Sequence, residues 1–331
     1  MTKPDPISST ALRSHWYVVA GSDDVSPGPH GVTLLGDDYV LWRDSRGTIV
    51  ASPDMCPHRE APLSAGTVAD GCLSCPYHGW KFGSEGRCVK VPSANEGVPV
   101  PPRANLATIS VEEAYGLVWV CPGEPVAPIP EMAVDSDPTF RRINTEVKVW
   151  HVASTRMVDN FLDISHFPFV HTGTFGGAQP PTVPAIELED LDGGYHGYRY
   201  EVVAKNPDEA QITSGSSEPE VRRVMSTGFR LPLTVRSTVA YDSGLQHILL
   251  LASTPIDEVT SYFTFVVWRN DDFDVPGDEV IEFDKAIGEE DRVMLERLSG
   301  EMPLGQTDLV SVQADKASVE WRRRFVSMLE A

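Results

Sequence analysis

The residues near the start of the chain most able to do chemistry are Cys56-Pro57-His58 and, after sixteen intervening residues, Cys75-Pro76-Tyr77-His78. Two thiols and two imidazoles are a common set for one structural zinc ion, but zinc chelate pairs usually leave two or more residues between ligands. Only Pro57 separates Cys56 from His58, a spacing that serves two metal ions more easily than one. A 2Fe-2S cluster offers two irons: Cys56 and Cys75 suit one, His58 and His78 the other, and each loop then supplies one ligand of each kind. Neutral imidazoles in place of two thiolates make such a cluster easier to reduce, which suits a one-electron relay. The remaining cysteines, Cys72, Cys88 and Cys121, read as small buried or half-buried residues without a chemical role.

A second group lies in RMVDNFLDISHFPFVHTG, residues 156–173. On a helix over 156–167, Asn160, Asp163 and His166 step by three and form one drifting polar stripe among Phe161, Leu162, Ile164 and Phe167. Buried polar groups need partners, and a metal ion is one of them. A helix cap or surface face with a stray histidine is the plainer alternative. His171 follows His166 by five, about 140° away on a regular helix, so both reach one ion only if the helix breaks between them. Pro168 is placed to cause that break.

A carboxylate would complete the two-histidine, one-carboxylate site of non-haem Fe(II) chemistry, with open positions for dioxygen. On a helix expected over 276–298, Val280, Phe283, Ile287, Met294, Leu295 and Leu298 define the apolar face. Asp291 falls about 30° from the centre of that face, Glu290 about 70°, and Glu289 nearly opposite. A carboxylate on a buried face is costly unless paired, either with a cation or with Arg292 or Arg297.

These groups must be positioned by two domains, the number that 331 residues support. Short apolar runs at 16–20, 32–36, 38–44, 48–52 and 117–120 predict a small all-β unit. Five prolines between Pro122 and Pro138 exclude helix and central strand there. The expected division is a tail over 1–13, a first domain over 14–125, a linker over 126–138 and a second domain over 139–331. In the second, 143–154, 195–203, 234–242, 246–254 and 259–270 read as strands of an antiparallel sheet, with helices over 276–298 and 318–330. Tyr200, Phe229, Leu231, His247, Leu249, Phe265 and Trp268 are candidate pocket residues, each equally compatible with plain sheet packing.

Composition narrows the partners. With 48 acidic against 27 basic residues the net charge is −21, and no basic run offers a nucleic-acid surface. No stretch approaches the ~20 apolar residues of a membrane helix, and the first residues lack the apolar core of a secretory signal, so a cytoplasmic, reducing location is expected. Five cysteines at low density argue against a disulfide framework. No G-x-G-x-x-G after a strand marks a dinucleotide site in this chain.

The CPHR and CPYHGW contexts resemble the Rieske iron-sulfur proteins, and Ala61 and Tyr77 stand where respiratory members usually carry an extra disulfide. Asp163-x-x-His166-x-x-x-x-His171, with a carboxylate 120 residues later, resembles the catalytic motif of the Rieske non-haem iron oxygenases. The likeness covers essentially the whole chain. It is greatest to the monooxygenase and demethylase branch, such as vanillate and dicamba O-demethylases and the oxygenases of saxitoxin biosynthesis. The resemblance implies an α+β protein: an all-β Rieske domain, then a helix-grip (START-like) catalytic domain whose curved antiparallel sheet wraps a long helix. By the same resemblance His166, His171 and Asp291 bind mononuclear Fe(II) and Asn160 sits beside it. Asp163 bridges His78 of one subunit to His166 of the next in a head-to-tail homotrimer. A reductase or ferredoxin supplies electrons, and dioxygen places one atom in a small organic substrate. Hydroxylating an O- or N-methyl group releases formaldehyde, so hydroxylation and demethylation are not separable at this level. The alternatives are a ring cis-dihydroxylating dioxygenase, a simple Rieske electron carrier, and a zinc-stabilised ligand-binding protein of helix-grip type.

Overall fold

The computed structural model describes residues 7–95, 97–177, 179–271, 273–305 and 309–331. The chain divides into two compact units, Leu12–Ile129 and, with residues 7–11, Pro130–Ala331. Leu12, expected in the tail, is buried in the first unit, where its carbonyl accepts a hydrogen bond from the Tyr17 hydroxyl at 2.9 Å. The proline-rich stretch is also less of a linker than expected. The Val126 N–H donates to Ser14 O and Ala127 O accepts from Trp16 Nε1, while Asp135 Oδ1 accepts from Arg142 and Trp268 of the second unit.

In the first unit, β1 (Tyr17–Gly21) pairs with β10 (Leu117–Cys121), which pairs with β9 (Ser110–Ala114). A second sheet holds β2 (His30–Leu34), β3 (Asp37–Arg43) and β4 (Ile49–Pro53). A third runs in the order β5 (Thr67–Ala69), β6 (Cys72–Ser74), β7 (Lys81–Phe82) and β8 (Cys88–Lys90). Cys56 follows β4 and Cys75 follows β6, so each cysteine-histidine loop is carried on the end of a strand.

The second unit is built on one antiparallel sheet. Its path runs β11 (Arg141–Asn144), β18 (Ser261–Arg269), β17 (Gln246–Pro255), β16 (Thr234–Tyr241), β15 (Glu220–Arg230), β14 (His196–Lys205) and β13 (Leu188–Asp190), with β12 (Lys148–Trp150) also on β18. The alternation of side chains sorts two faces. Met225, Val239, Leu249, Leu251, Phe263 and Phe265, all at odd positions in registered strands, face one cavity.

Helices close that face. The expected helix over 276–298 is two, α4 (Gly277–Val280) and α5 (Glu282–Leu295), joined at Ile281. Val280, Ile281 and Leu295 pack with Phe263, Phe265 and Val267. Met294 and Leu298, assigned to the apolar face from spacing, are instead exposed: the buried stripe ends at Leu295, where the helix itself stops. The short α3 (Gln211–Ser214) lies beyond β14, and the last helix, α6, spans Lys316–Leu329.

The helix expected over 156–167 stops much earlier. Helix α1 spans Ser154–Phe161 and α2 only Phe167–Val170. Asp163 is the reason, because its side chain takes the backbone N–H of Ser165 at 2.9 Å and of His166 at 3.1 Å, an alternative to helical bonding. The buried Tyr198 hydroxyl, its acidity suppressed by burial, donates to Leu162 O at 3.1 Å where α1 ends. Helix α6 braces α1 from outside, with Ser318 Oγ donating to Asp159 O and Trp321 buried and bonded to Pro232 O. Tyr198→Phe is expected to lower stability to denaturant by about 1 kcal/mol while leaving the cluster absorbance unchanged; an unchanged unfolding midpoint would show that this bond does not hold the break.

Candidate active site

The two cysteine-histidine loops share one backbone design. Ala61 O accepts from the N–H of Cys56 at 2.9 Å and Trp80 O from that of Cys75 at 2.8 Å, while the carbonyls of Cys56 and Cys75 accept from Glu60 and Gly79. Glu60 (φ 54°) and Gly79 (φ 67°) both take the left-handed turn this closure needs. The thiols point inward, Cys56 and Cys75 lying in an apolar cluster with Leu63, Leu73 and Phe82. Burial pushes the Cys56 thiol up to about 11, against the N–H groups of His58 and Arg59 that favour its thiolate. The imidazoles point outward: His58 and His78 are exposed, 4.6 Å apart between ring centres, and His58 stacks on Trp80. Two inner thiols and two outer imidazoles fit a cluster with one thiolate-bound and one imidazole-bound iron.

In the second unit the donor atoms of His166, His171 and Asp291 converge. The two Nε2 atoms are 3.2 Å apart, and Asp291 Oδ1 lies 3.4 Å from one and 3.5 Å from the other. The centre of such a triangle is about 2 Å from each corner, the bond length of a first-row ion to nitrogen and oxygen. Among the described residues this triad is the group found able to hold a metal ion. His166 and His171 flank the single turn of α2, with Pro168 inside that turn where its missing N–H costs nothing. The helix is therefore unbroken at Pro168; the two histidines are the end residues of this one turn, and the chain leaves helical geometry at His171 itself (φ −87°, ψ 41°). Gly176 secures the far side: its N–H donates to His171 O, and a Cβ there would come within 1.8 Å of Phe167 O.

Each imidazole is oriented from behind. His166 Nδ1 lies 3.0 Å from Asp163 Oδ2, and His171 Nδ1 lies 3.1 Å from Glu290 Oε2. Donation of both Nδ1 protons to carboxylates leaves the Nε2 lone pairs facing the triad. Asn160 Nδ2 donates to Asp291 Oδ1 at 3.0 Å. Arg292 pairs with Glu289 and Glu296, so it does not neutralise Asp291 as the plainer reading allowed. Burial alone would lower the pKa of His166, but Asp163 and Asp291 overrule it and hold it at about 9. Burial and the charge of His166 keep His171 below the usual imidazole value, against the pull of Asp291 and Glu290.

Glu290 was not expected in the site. Besides His171 it accepts from the Gly173 N–H at 2.7 Å and Thr174 Oγ1 at 2.6 Å. The available signal was its place beside Asp291, near enough on the helix to reach behind a histidine ligand. The triad opens on a cavity between the sheet and α5. Of the seven candidate pocket residues, His247, Leu249 and Phe265 line it. Tyr200 belongs to a smaller neighbouring cavity, and Trp268, of opposite parity to Phe265, turns its indole to Asp135. Phe229 and Leu231 are absent from the lining. Arg223, Tyr241 and Asp284 were missed because charged and hydroxyl side chains on a strand or helix ordinarily read as its solvated face.

Comparisons with known proteins agree with this construction. Residues 15–109 match the Rieske 2Fe-2S domain, and residues 150–331 match the vanillate O-demethylase oxygenase C-terminal domain. The methylxanthine N1-demethylase NdmA of Pseudomonas putida is 30% identical over 97% of this chain and 90% of that one. The oxygenase component of dicamba O-demethylase from Stenotrophomonas maltophilia is 35% identical over 56% of this chain and 54% of that one. The structure of Pseudomonas putida NdmA with caffeine superposes with a TM-score of 0.81 at 28% identity, covering 97% of this chain and 92% of that one. The chain belongs to the Rieske non-haem iron oxygenases, in the group with a vanillate O-demethylase-type catalytic domain. It is an oxidoreductase of the class whose oxygenase components carry a Rieske cluster and a mononuclear iron.

Two outcomes follow for the metal-free triad. Below pH 9 the proton on His166 must leave before a metal enters, so Fe(II) affinity rises about tenfold per pH unit up to about 9, read by calorimetry in buffers of different ionisation enthalpy. The folded pKa exceeds the unfolded value of ~6.5, so this group stabilises the metal-free fold fully below pH 6.5, and that contribution fades as pH rises through 9. Glu290→Ala should weaken iron binding by about 10- to 100-fold while sparing the cluster; undiminished affinity in a metal titration would remove Glu290 from the site.

Proposed function

We propose that this chain is the terminal oxygenase component of a monooxygenase that hydroxylates or oxidatively demethylates a small cyclic organic substrate. Electrons come from a separate reductase or ferredoxin. The observation that carries the reading is the pairing, on one polypeptide, of the cluster loops with a facial triad that opens on a largely apolar cavity. A carrier of electrons alone has no use for the triad or the cavity. In this reading Cys56, His58, Cys75 and His78 hold the cluster, and His166, His171 and Asp291 hold the mononuclear iron. When bound, these groups supply single electrons and dioxygen activation.

The chain's own residues do the rest. Asp163 and Glu290 fix the imidazole tautomers, and Asn160 holds the Asp291 carboxylate in place. The inward residues of β15–β18 and α5 exclude water and press the substrate toward the triad. The proposal includes a head-to-tail homotrimer in the cytoplasm, with Asp163 linking His166 to His78 of a neighbouring copy. Its support is the exposed edge of His78 and the partly exposed Asp163 carboxylate, which already bonds His166. No helix among the described residues is long and apolar enough to cross a membrane.

Iron and acid-labile sulfide analysis tests the reading. About three irons and two sulfides per chain are expected, and His166→Ala or Asp291→Ala should leave about two of each, with the cluster spectrum intact and product formation lost. With labelled dioxygen, one atom per turnover should enter the hydroxylated product; two atoms would mark the dihydroxylating alternative. Wild-type protein with only two irons would reduce it to a carrier.

A further inference from the structure

The metal chemistry leaves one carboxylate of the cavity unused. Asp284 lies seven residues before Asp291 on α5, on the same face and two turns away, about 10.5 Å along the axis. Its Oδ1 lies 3.1 Å from His247 Nε2. The other nitrogen of that imidazole, Nδ1, lies 3.3 Å from a guanidinium nitrogen of Arg269. Arg269 is fully buried, paired through two nitrogens with Asp271, and donates to Thr213 O at 3.0 Å. A guanidinium only donates, so His247 Nδ1 is the acceptor and its hydrogen sits on Nε2, directed at Asp284. That bond orients the carboxylate and leaves Oδ2 buried without a hydrogen-bond partner. Native proteins seldom leave a buried carboxylate oxygen bare, and one lining a ligand cavity is available to the ligand.

The wall between Asp284 and the triad is apolar, built from Ile287, Leu249, Leu251, Phe263 and Phe265. At the Asp284 end Arg269 pairs with Asp271 and Lys205 with Glu220 at 3.2 Å, while the guanidinium of Arg223 lies 5.8 Å from the centre of the Phe175 ring.

Resting on the oxygenase reading, we propose that Asp284 Oδ2 anchors an N–H or O–H donor at the edge of the substrate remote from the oxidised carbon. The two helix turns that separate Asp284 from Asp291 set the scale of the ligand as about one substituted ring. The substrate class is therefore an aromatic or heteroaromatic ring with an oxidisable alkyl group on one side and a free phenol, lactam or imide hydrogen on the other. Asp284 then sets specificity by penalising rings whose donor is blocked.

The iron-loaded full chain is titrated anaerobically by calorimetry with two matched pairs, 4-methoxyphenol against 1,4-dimethoxybenzene and theobromine against caffeine. Each pair differs by methylation of one donor. In at least one pair the donor-bearing member should bind about tenfold more tightly, and Asp284→Ala should erase the preference while Asp284→Asn keeps part of it, with iron and sulfide content unchanged. The proposal is overturned if neither pair binds, if the methylated members bind as well, if the preference survives in Asp284→Ala, or if that variant loses iron. Because binding and metal content are read without turnover, failure of the oxygenase reading would appear separately, as wild-type protein that lacks the third iron or consumes no dioxygen with any reductant.

Discussion

Two imidazole nitrogens and a carboxylate oxygen, all bearing lone pairs, are held 3.2–3.5 Å apart, a crowding that is favourable only with positive charge among them. In the metal-free protein that charge is the proton that Asp163 and Asp291 keep on His166. In the loaded enzyme it is the metal. Much of the second unit serves this one constraint: Asp163 ends α1, Tyr198 and α6 hold that end, Gly176 permits the loop after α2, and α5 delivers Asp291 from behind.

The two metal sites divide labour through burial. The thiols of the first sit in a core while its imidazoles are exposed, so electrons have a short route to a partner protein. The triad of the second lies on a cavity that also has apolar walls, among them Leu249, Leu251, Phe263 and Phe265, which would limit water beside a bound metal. The acidic surface, at a net charge of −21, takes no part in this chemistry; it bears on solubility and on the charge of any partner.

The residues that the structure gathers were legible in the sequence because metal chemistry calls for rare residue types at restricted spacings, as in Cys56-x-His58 and His166-x-x-x-x-His171. The strands were legible to within a few residues because their apolar runs are short and bounded by turns. The course of the chain between the ligands was not. Periodicity carries Asn160, Asp163 and His166 onto one helix, yet Asp163 can bond its own backbone and does so, a competition that spacing does not reveal. The same limit hid Glu290, whose importance depends on where His171 ends up. It misplaced Trp268 too, since strand parity distinguishes two faces without saying which one is hollow. His247 was found as a cavity residue, but its bond to Asp284 joins β17 to α5 across 37 positions and has no local signature.

The most direct test of the account is anomalous diffraction at the iron edge from crystals of the iron-loaded protein. The account predicts one isolated iron about 2 Å from His166 Nε2, His171 Nε2 and an Asp291 oxygen, and a pair of irons between Cys56, Cys75, His58 and His78. A single zinc ion bound by the two cysteines and two histidines, or no iron signal at the triad in protein that turns over, would contradict it.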